Sequence, residues 1–140
     1  MKTTPAAISP FFTQGHAARV SAVLAALGVI LGAFGAHALR TILEQRPRGE
    51  DNWRTAVLYH LLHAAVMLWI AGARDRANRL AWWLMLAGVV LFSGSLYPLS
   101  TLGWKWLGPV TPLGGLFLIG GWIALAVKPW CGAGNSGQPE

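Results

Sequence analysis

Residues 55–73 read TAVLYHLLHAAVMLWIAGA, a run of 19 residues that contains no Asp, Glu, Lys or Arg. An α-helix needs about 20 apolar residues to cross the hydrocarbon core of a bilayer, so this run is long enough to span a membrane. It also carries Tyr59, His60 and His63 within five positions. Polar groups at that depth are costly unless they find partners, so the stretch predicts both a spanning helix and a polar patch inside the membrane.

Three further runs without charged residues occupy positions 20–39, 80–104 and 106–127. The chain of 140 residues is 54% hydrophobic and 11% charged, whereas an ordinary soluble domain is about 25% charged. A soluble helical bundle would need polar faces on these segments, and they have none. The sequence therefore predicts an all-α membrane protein, a bundle of four transmembrane helices.

Charged and proline-containing segments divide the chain into three parts. We expect a polar N-terminal tail at residues 1–19, a transmembrane domain at 20–128 and a Gly-rich C-terminal tail at 129–140. The segment LRTILEQR after the first span has its apolar side chains on one side, which predicts a short amphipathic helix at the membrane surface. The predicted spans are 20–38, 55–73, 80–97 and 110–127, with a turn from Pro98 to Pro109.

Basic residues set the expected orientation. The net charge of +6 comes from arginines and lysines in short loops, where they fix topology and meet anionic lipid, so nucleic acid is excluded as a partner. The link 74–79 holds three arginines, and an even number of spans places both termini on its side. This pattern predicts an integral protein of the inner (plasma) membrane with cytoplasmic termini. Tryptophans are expected at the interfaces, with Trp53, Trp104 and Trp106 at one and Trp82, Trp83 and Trp130 at the other.

The polar residues of the four spans gather at one level of the membrane. Because successive spans alternate in direction, the ends of spans 1 and 3 meet the beginnings of spans 2 and 4. His63 is expected to be buried, neutral and hydrogen-bonded to a hydroxyl or a backbone carbonyl. The predicted cluster, structural or ligand-binding, lies in the non-cytoplasmic half and comprises His37, Tyr59, His60, His63, Ser93, Ser95, Tyr97 and Thr111.

Glycines in the spans predict close contacts between helices. The spacing of Gly28 and Gly32 in the first span allows two helix backbones to approach each other. Other glycines lie near the level of the polar cluster. The predicted helix-packing set is Gly28, Gly32, Gly35, Gly94, Gly114 and Gly115.

The sequence indicates the function of the protein less clearly than its fold. The sequence holds no catalytic motif, no carboxylate inside a span and a single cysteine, Cys131, so we predict no enzymatic activity, no metal site and no cofactor. The favoured interpretation is an accessory, assembly or scaffold component that lies in the lipid bilayer, in a larger membrane complex or a homo-oligomer. The alternative is binding of a small lipid-like or quinone-like ligand, a metal or haem at His37, His60 and His63.

Four motifs carry a family resemblance: LGAFGAHAL at 31–39, Tyr59-His60-x-x-His63-Ala64, LFSGSLY at 91–97 and TPLGGLFLIGGW at 111–122. They resemble the YgdD-like family of small four-span membrane proteins, also filed as domain of unknown function four-two-three. The resemblance covers about residues 20–128 and implies a four-helix membrane protein without an established activity. Many members carry glutamine at the position of His60, which implies that a metal role requiring His60 is not a family property. The positions it points to are Gly32, Gly35, His37, Tyr59, His63, Ser93, Gly94, Ser95, Tyr97, Pro112, Gly114, Gly115, Gly121 and Trp122.

Overall fold

Helices make up nearly all of the part of the chain that the computed structural model describes, residues 14–72 and 75–127. That part contains no β-strand, which confirms the all-α prediction. A 3-10 turn at Lys105–Leu107 precedes the last helix. In chain order the helices are α1 (Gln14–Ala36), α2 (Arg40–Glu44), α3 (Gly49–Ala71), α4 (Arg76–Leu102) and α5 (Val110–Ala126).

Four segments of the described chain are long and apolar enough to cross a membrane, and they correspond to α1, α3, α4 and α5 together with the turn before α5. A 23-residue helix such as α3 is about 34 Å long, slightly more than the ~30 Å of a hydrocarbon core. The central helices are α3 and α4, since α3 packs against α1 on one side and α4 on the other, and α4 packs against α5. The four-span prediction is confirmed.

Three spanning helices begin earlier than the charge pattern indicates, among them α4, which begins at Arg76 rather than at position 80. Helix α1 begins at Gln14 rather than at position 20, because Ala17 is buried in the core and extends the packed face of the helix. Helix α3 begins at Gly49, and its first turn carries Glu50 and Asp51, whose negative charges stabilise the positive end of the helix dipole. Residues 1–13 of the predicted N-terminal tail (1–19) and the whole predicted C-terminal tail (129–140) lie outside the described residues.

The turn predicted from Pro98 is wrong, because α4 continues through Pro98 to Leu102. Pro98 lacks the N–H that the carbonyl of Gly94 would accept in a helix, but membrane helices tolerate the loss of one such bond. The residues after Pro98 keep helical geometry, and their hydroxyls bond one turn back, from Ser100 Oγ to the carbonyl of Leu96 at 2.6 Å and from Thr101 Oγ1 to that of Tyr97. The helix ends at Gly103, whose φ of 70° is a left-handed conformation that glycine adopts without strain.

Two tryptophans predicted for the membrane interfaces are instead buried between helices. The indole of Trp82 donates to Ser21 Oγ on α1 at 3.0 Å, and the indole of Trp53 donates to the carbonyl of Leu31 on α1 at 3.1 Å. Indoles are large apolar groups with one donor, so a buried acceptor on the neighbouring helix can hold them inside the bundle. Trp83, Trp104 and Trp106 are exposed, and Trp130 lies outside the described residues.

Helix α1 lies close to α3 because three of its glycines face that helix. A Cβ atom on Gly28 would lie 2.7 Å from the side chain of Leu61, and one on Gly35 would collide with the indole ring of Trp53. A Cβ atom on Gly32 would lie 3.3 Å from Val57. Hydrogen at these positions therefore permits the side chains of α3 to fill the space between the two helices.

Helices α4 and α5 also lie close together at one of the predicted glycines. A Cβ atom on Gly114 would collide with the backbone nitrogen of Phe92. Gly115 makes an ordinary contact with the Phe92 ring, at 3.8 Å from a Cβ atom placed there. Gly94 is exposed, and a Cβ atom there would meet nothing within 4 Å, so its assignment to helix packing is wrong.

Candidate functional site

His63 on α3 uses both of its ring nitrogens within the protein. Its Nδ1 atom lies 2.7 Å from the carbonyl oxygen of Tyr59, one helical turn earlier, and the indole of Trp122 on α5 lies 3.1 Å from its Nε2 atom. An indole nitrogen only donates and a carbonyl only accepts, so Nδ1 carries the proton and Nε2 accepts. This arrangement defines a neutral imidazole of one tautomer.

The position of His63 has two chemical consequences. Protonating Nε2 would place one N–H directly opposite the N–H of Trp122, and a metal on Nε2 would displace that indole. The backbone carbonyl partner agrees with the sequence-based expectation, whereas Trp122 was not among the partners expected for His63.

The depth of His63 differs from the prediction, which put it in the non-cytoplasmic half of the bundle. His63 is the fifteenth of the 23 residues of α3, so it lies near the middle of the span.

His60 lies one turn before His63 and connects α3 to α4. Its Nδ1 atom lies 3.1 Å from the hydroxyl of Tyr97, and the ring of Tyr97 packs edge-on against Trp53 with centroids 4.7 Å apart. The Nε2 atom of His60 is buried and has no hydrogen-bond partner among the described residues. The backbone of Leu24 on α1 lies close to the His60 ring.

Hydroxyl groups form the rest of the polar layer. Ser93 Oγ on α4 donates to the carbonyl of Ala56 on α3 at 2.9 Å. Ser95 and Thr111 share a hydrogen bond of 2.7 Å between α4 and α5, and Ser95 also donates to the carbonyl of Phe92. Side-chain hydrogen bonds thus connect α1 to α3, α3 to α4, α4 to α5 and α3 to α5.

Two predicted members lie at the edge of this layer or outside it. His37 is exposed in the turn that follows α1, and the structure does not bring it to the other histidines, because α1 ends at Ala36 before it can project the ring inward. Tyr59 is half-exposed and stacks on His63 and Phe92, with ring centroids 5.8 Å and 4.7 Å apart. Its backbone carbonyl, and not its hydroxyl, contacts His63.

Two aromatic residues in the layer were not predicted as members of it. Trp122 was noted only through the family resemblance, and Trp53 was predicted at the interface. Each indole has a single N–H donor, and its acceptor lies on another helix. The spacing of residues within one span therefore cannot show that the two groups meet. The described residues hold no group of three or more His, Cys, Asp or Glu side chains that could bind a metal ion. The hydrogen bonds of these side chains run mainly between neighbouring spans, from α3 to α4, α4 to α5 and α5 to α3.

These features define a small integral membrane protein of four spanning helices. Residues 31–115 match the model of a family described as "Protein of unknown function (DUF423)", and the chain belongs to that family. Membership agrees with the resemblance seen in the sequence motifs.

Several relatives carry the same kind of name. The "UPF0382 membrane protein YwdK" of Bacillus subtilis is 42% identical over 113 residues, which cover 77% of this chain and 90% of the relative. A "UPF0382 membrane protein" of Haemophilus influenzae is 39% identical over 70% of this chain and 80% of its own length. The "UPF0382 membrane protein C1782.12c" of Schizosaccharomyces pombe is 33% identical over 77% of this chain and 96% of its own length. No solved structure matches the chain.

Proposed function

We propose that this protein is a non-enzymatic accessory, assembly or scaffold component of a membrane. The observation that supports this proposal is the pairing of His63, whose two ring nitrogens are both bound by protein groups. A histidine that serves as a metal ligand or a general base needs a free nitrogen. The polar layer then serves to fix how the spans pack, with each bond contributing about 0.6 kcal/mol.

The outer helices supply the surface for a protein partner. About 17% of the most apolar stretch of α1 and 22% of that of α5 are buried, against 39% and 44% for the two central helices. Along α1 the exposed face carries Val23, Ile30 and Phe34. We propose that these faces contact a larger membrane complex or a second copy of the chain.

A photocrosslinking amino acid at Ile30, on the exposed face of α1, tests the partner surface. We expect irradiation of membranes to yield one reproducible protein adduct larger than the 15.0 kDa chain, identifiable by mass spectrometry after mild detergent extraction. The same probe at Leu58, an exposed position of α3, is the matched control and should not give that adduct. Equal adducts from both positions, or lipid adducts alone from Ile30, would contradict an accessory role.

One observation favours a second candidate, the binding of a small lipid-like or quinone-like ligand beside the histidines. The buried Nε2 atom of His60 has no hydrogen-bond partner among the described residues, and a ligand oxygen would provide one. Gently purified protein should then carry a stoichiometric extractable molecule that is lost in His60→Leu. Protein that is free of such a molecule and folds normally would exclude this candidate, and a Soret absorption band would indicate haem instead.

Location and orientation also belong to the proposal. We place the protein in the plasma membrane with both termini in the cytoplasm, because the link 74–79 holds three arginines. Single cysteines at Lys2 and Ala77, in a chain with Cys131→Ser, should be labelled from the same side by an impermeant maleimide. A cysteine at the exposed Gln45 should be labelled from the opposite side. Labelling of positions 2 and 77 from different sides would rule out this topology.

A further inference from the structure

A groove of about 390 Å³ lies between α1, α2 and α3, away from the bonded histidines. Its volume is in the ~300–1,000 Å³ range of small-molecule sites. The body of the groove is apolar and is lined by Gly32, Val57, Leu58 and Leu61, with Trp53 as one wall. Gly32 and Gly35 contribute the surface of α1 to this groove.

The mouth of the groove is polar and positively charged in part. It is a smaller adjoining pocket of about 260 Å³ that shares Glu50 and Arg54, in the second turn of α3, with the groove. Arg40, at the start of α2, lines this adjoining pocket. Each arginine has an ion pair on its own helix, Arg40 with Glu44 and Arg54 with Glu50. The hydrogen bond with Glu44 raises the pKa of Arg40, so its guanidinium remains charged.

Both arginines retain donors for a further acceptor. Among the described residues, Arg40 contacts Glu44 through Nε and Arg54 contacts Glu50 through Nη2. The side chains of Arg40 and Arg54 are 72% and 74% exposed. A guanidinium offers five N–H donors in a planar fork that fits the oxygens of a phosphate. Two such forks from different helices therefore meet at the mouth of one apolar groove.

We propose that this groove binds one anionic phospholipid of the surrounding bilayer, with its phosphate on Arg40 and Arg54 and an acyl chain along α3. The inference goes beyond the accessory role and is independent of it. Guanidinium groups bind phosphate oxygens through charge-assisted hydrogen bonds, which are stronger than bonds between neutral groups. The ligand must match the groove: its polar part must lie at the helix ends, and its apolar part must extend toward the middle of the membrane.

The direction of the groove distinguishes a lipid from other occupants. From Glu50 at the mouth to Leu61 the groove extends eleven residues along α3, about 16 Å toward the centre of the span. An acyl chain of a bilayer lipid lies parallel to the spanning helices at that depth, below its own phosphate. Water or a free phosphate ion would leave the apolar part of the groove without contacts, so neither accounts for its whole length.

Binding can be measured on the purified full-length protein in detergent by native mass spectrometry and thermal unfolding. We expect phosphatidylglycerol to bind at one molecule per chain and to raise the melting temperature more than phosphatidylethanolamine. Glycerol phosphate, which has the charge without the acyl chains, should not bind. In Arg40→Gln/Arg54→Gln, the affinity for phosphatidylglycerol should fall about ten-fold or more. The control Arg19→Gln/Arg76→Gln changes the net charge equally, at residues that do not line the groove, and should retain binding.

A second double variant should change the affinity for phosphatidylglycerol in the opposite direction. Glu44→Gln/Glu50→Gln removes the two competing carboxylates, so phosphatidylglycerol should bind several-fold more tightly. A phosphatidylglycerol with a photoactivatable acyl chain, added at one equivalent, should label peptides of α1 and α3 around Gly32 and Leu61. Equal affinity of the wild type for both phospholipids, equal loss in the two arginine pairs, or labelling confined to α5 would each overturn the proposal.

Discussion

Alanine in place of Gly114 is expected to lower the free energy of unfolding by about 3 kcal/mol relative to alanine in place of Gly94. A Cβ atom on Gly114 would collide with the backbone nitrogen of Phe92, and backbone cannot rotate away as a flexible side chain can. Helices α4 and α5 would have to separate, which would also strain the hydrogen bond between Ser95 and Thr111. The measurement is thermal or denaturant unfolding of both variants in the same detergent.

The control is well matched, because Gly94 is also a helical glycine that lies near Phe92 in the chain. A Cβ atom there meets nothing within 4 Å, so Gly94→Ala should be neutral or stabilise the helix by up to about 1 kcal/mol. Both substitutions gain the same helix propensity, so their difference reports the steric contact alone. Equal stability of the two variants would show that α4 and α5 do not pack at Gly114.

Leucine in place of His63 is expected to destabilise the protein by about 2 kcal/mol, because it removes an acceptor and a donor from the middle of the bundle. The N–H of Trp122 would lose its partner at 3.1 Å, and the Tyr59 carbonyl would lose its second hydrogen bond. His37→Leu should have little effect, because His37 is exposed after the end of α1. These free energies can be compared by unfolding in one detergent.

A double-mutant cycle separates the bond between His63 and Trp122 from other effects of the substitution. Trp122→Phe keeps an aromatic ring and removes the N–H donor, so it should weaken the protein less once His63 is already leucine. We expect a coupling energy of about 1 kcal/mol, within the range measured for hydrogen bonds in membranes. Additive effects of the two substitutions would show that the histidine and the indole do not interact.

The number of spans and the fold class could be read from the sequence, because a bilayer imposes a length and an absence of charge that each segment must satisfy alone. The short helix after the first span could be predicted as well, from its one-sided apolar residues. Residues such as Ser93 and His63 could be recognised as inward-facing, since unpaired polar groups in hydrocarbon are costly. These inferences require only the properties of one helix and its solvent.

Only the tertiary structure decided which residues meet. Sequence placed Gly94 and Gly114 in one packing set, yet Gly114 lies against the backbone of Phe92 while Gly94 faces outward, because the rotation of each helix depends on its neighbours. Trp53 proved to be buried, since an acceptor for it exists on α1 at the right height. The indole that fixes the tautomer of His63 is 59 residues away in the chain. Such pairs depend on the relative rotation and height of two helices, and no property of a single segment contains that information.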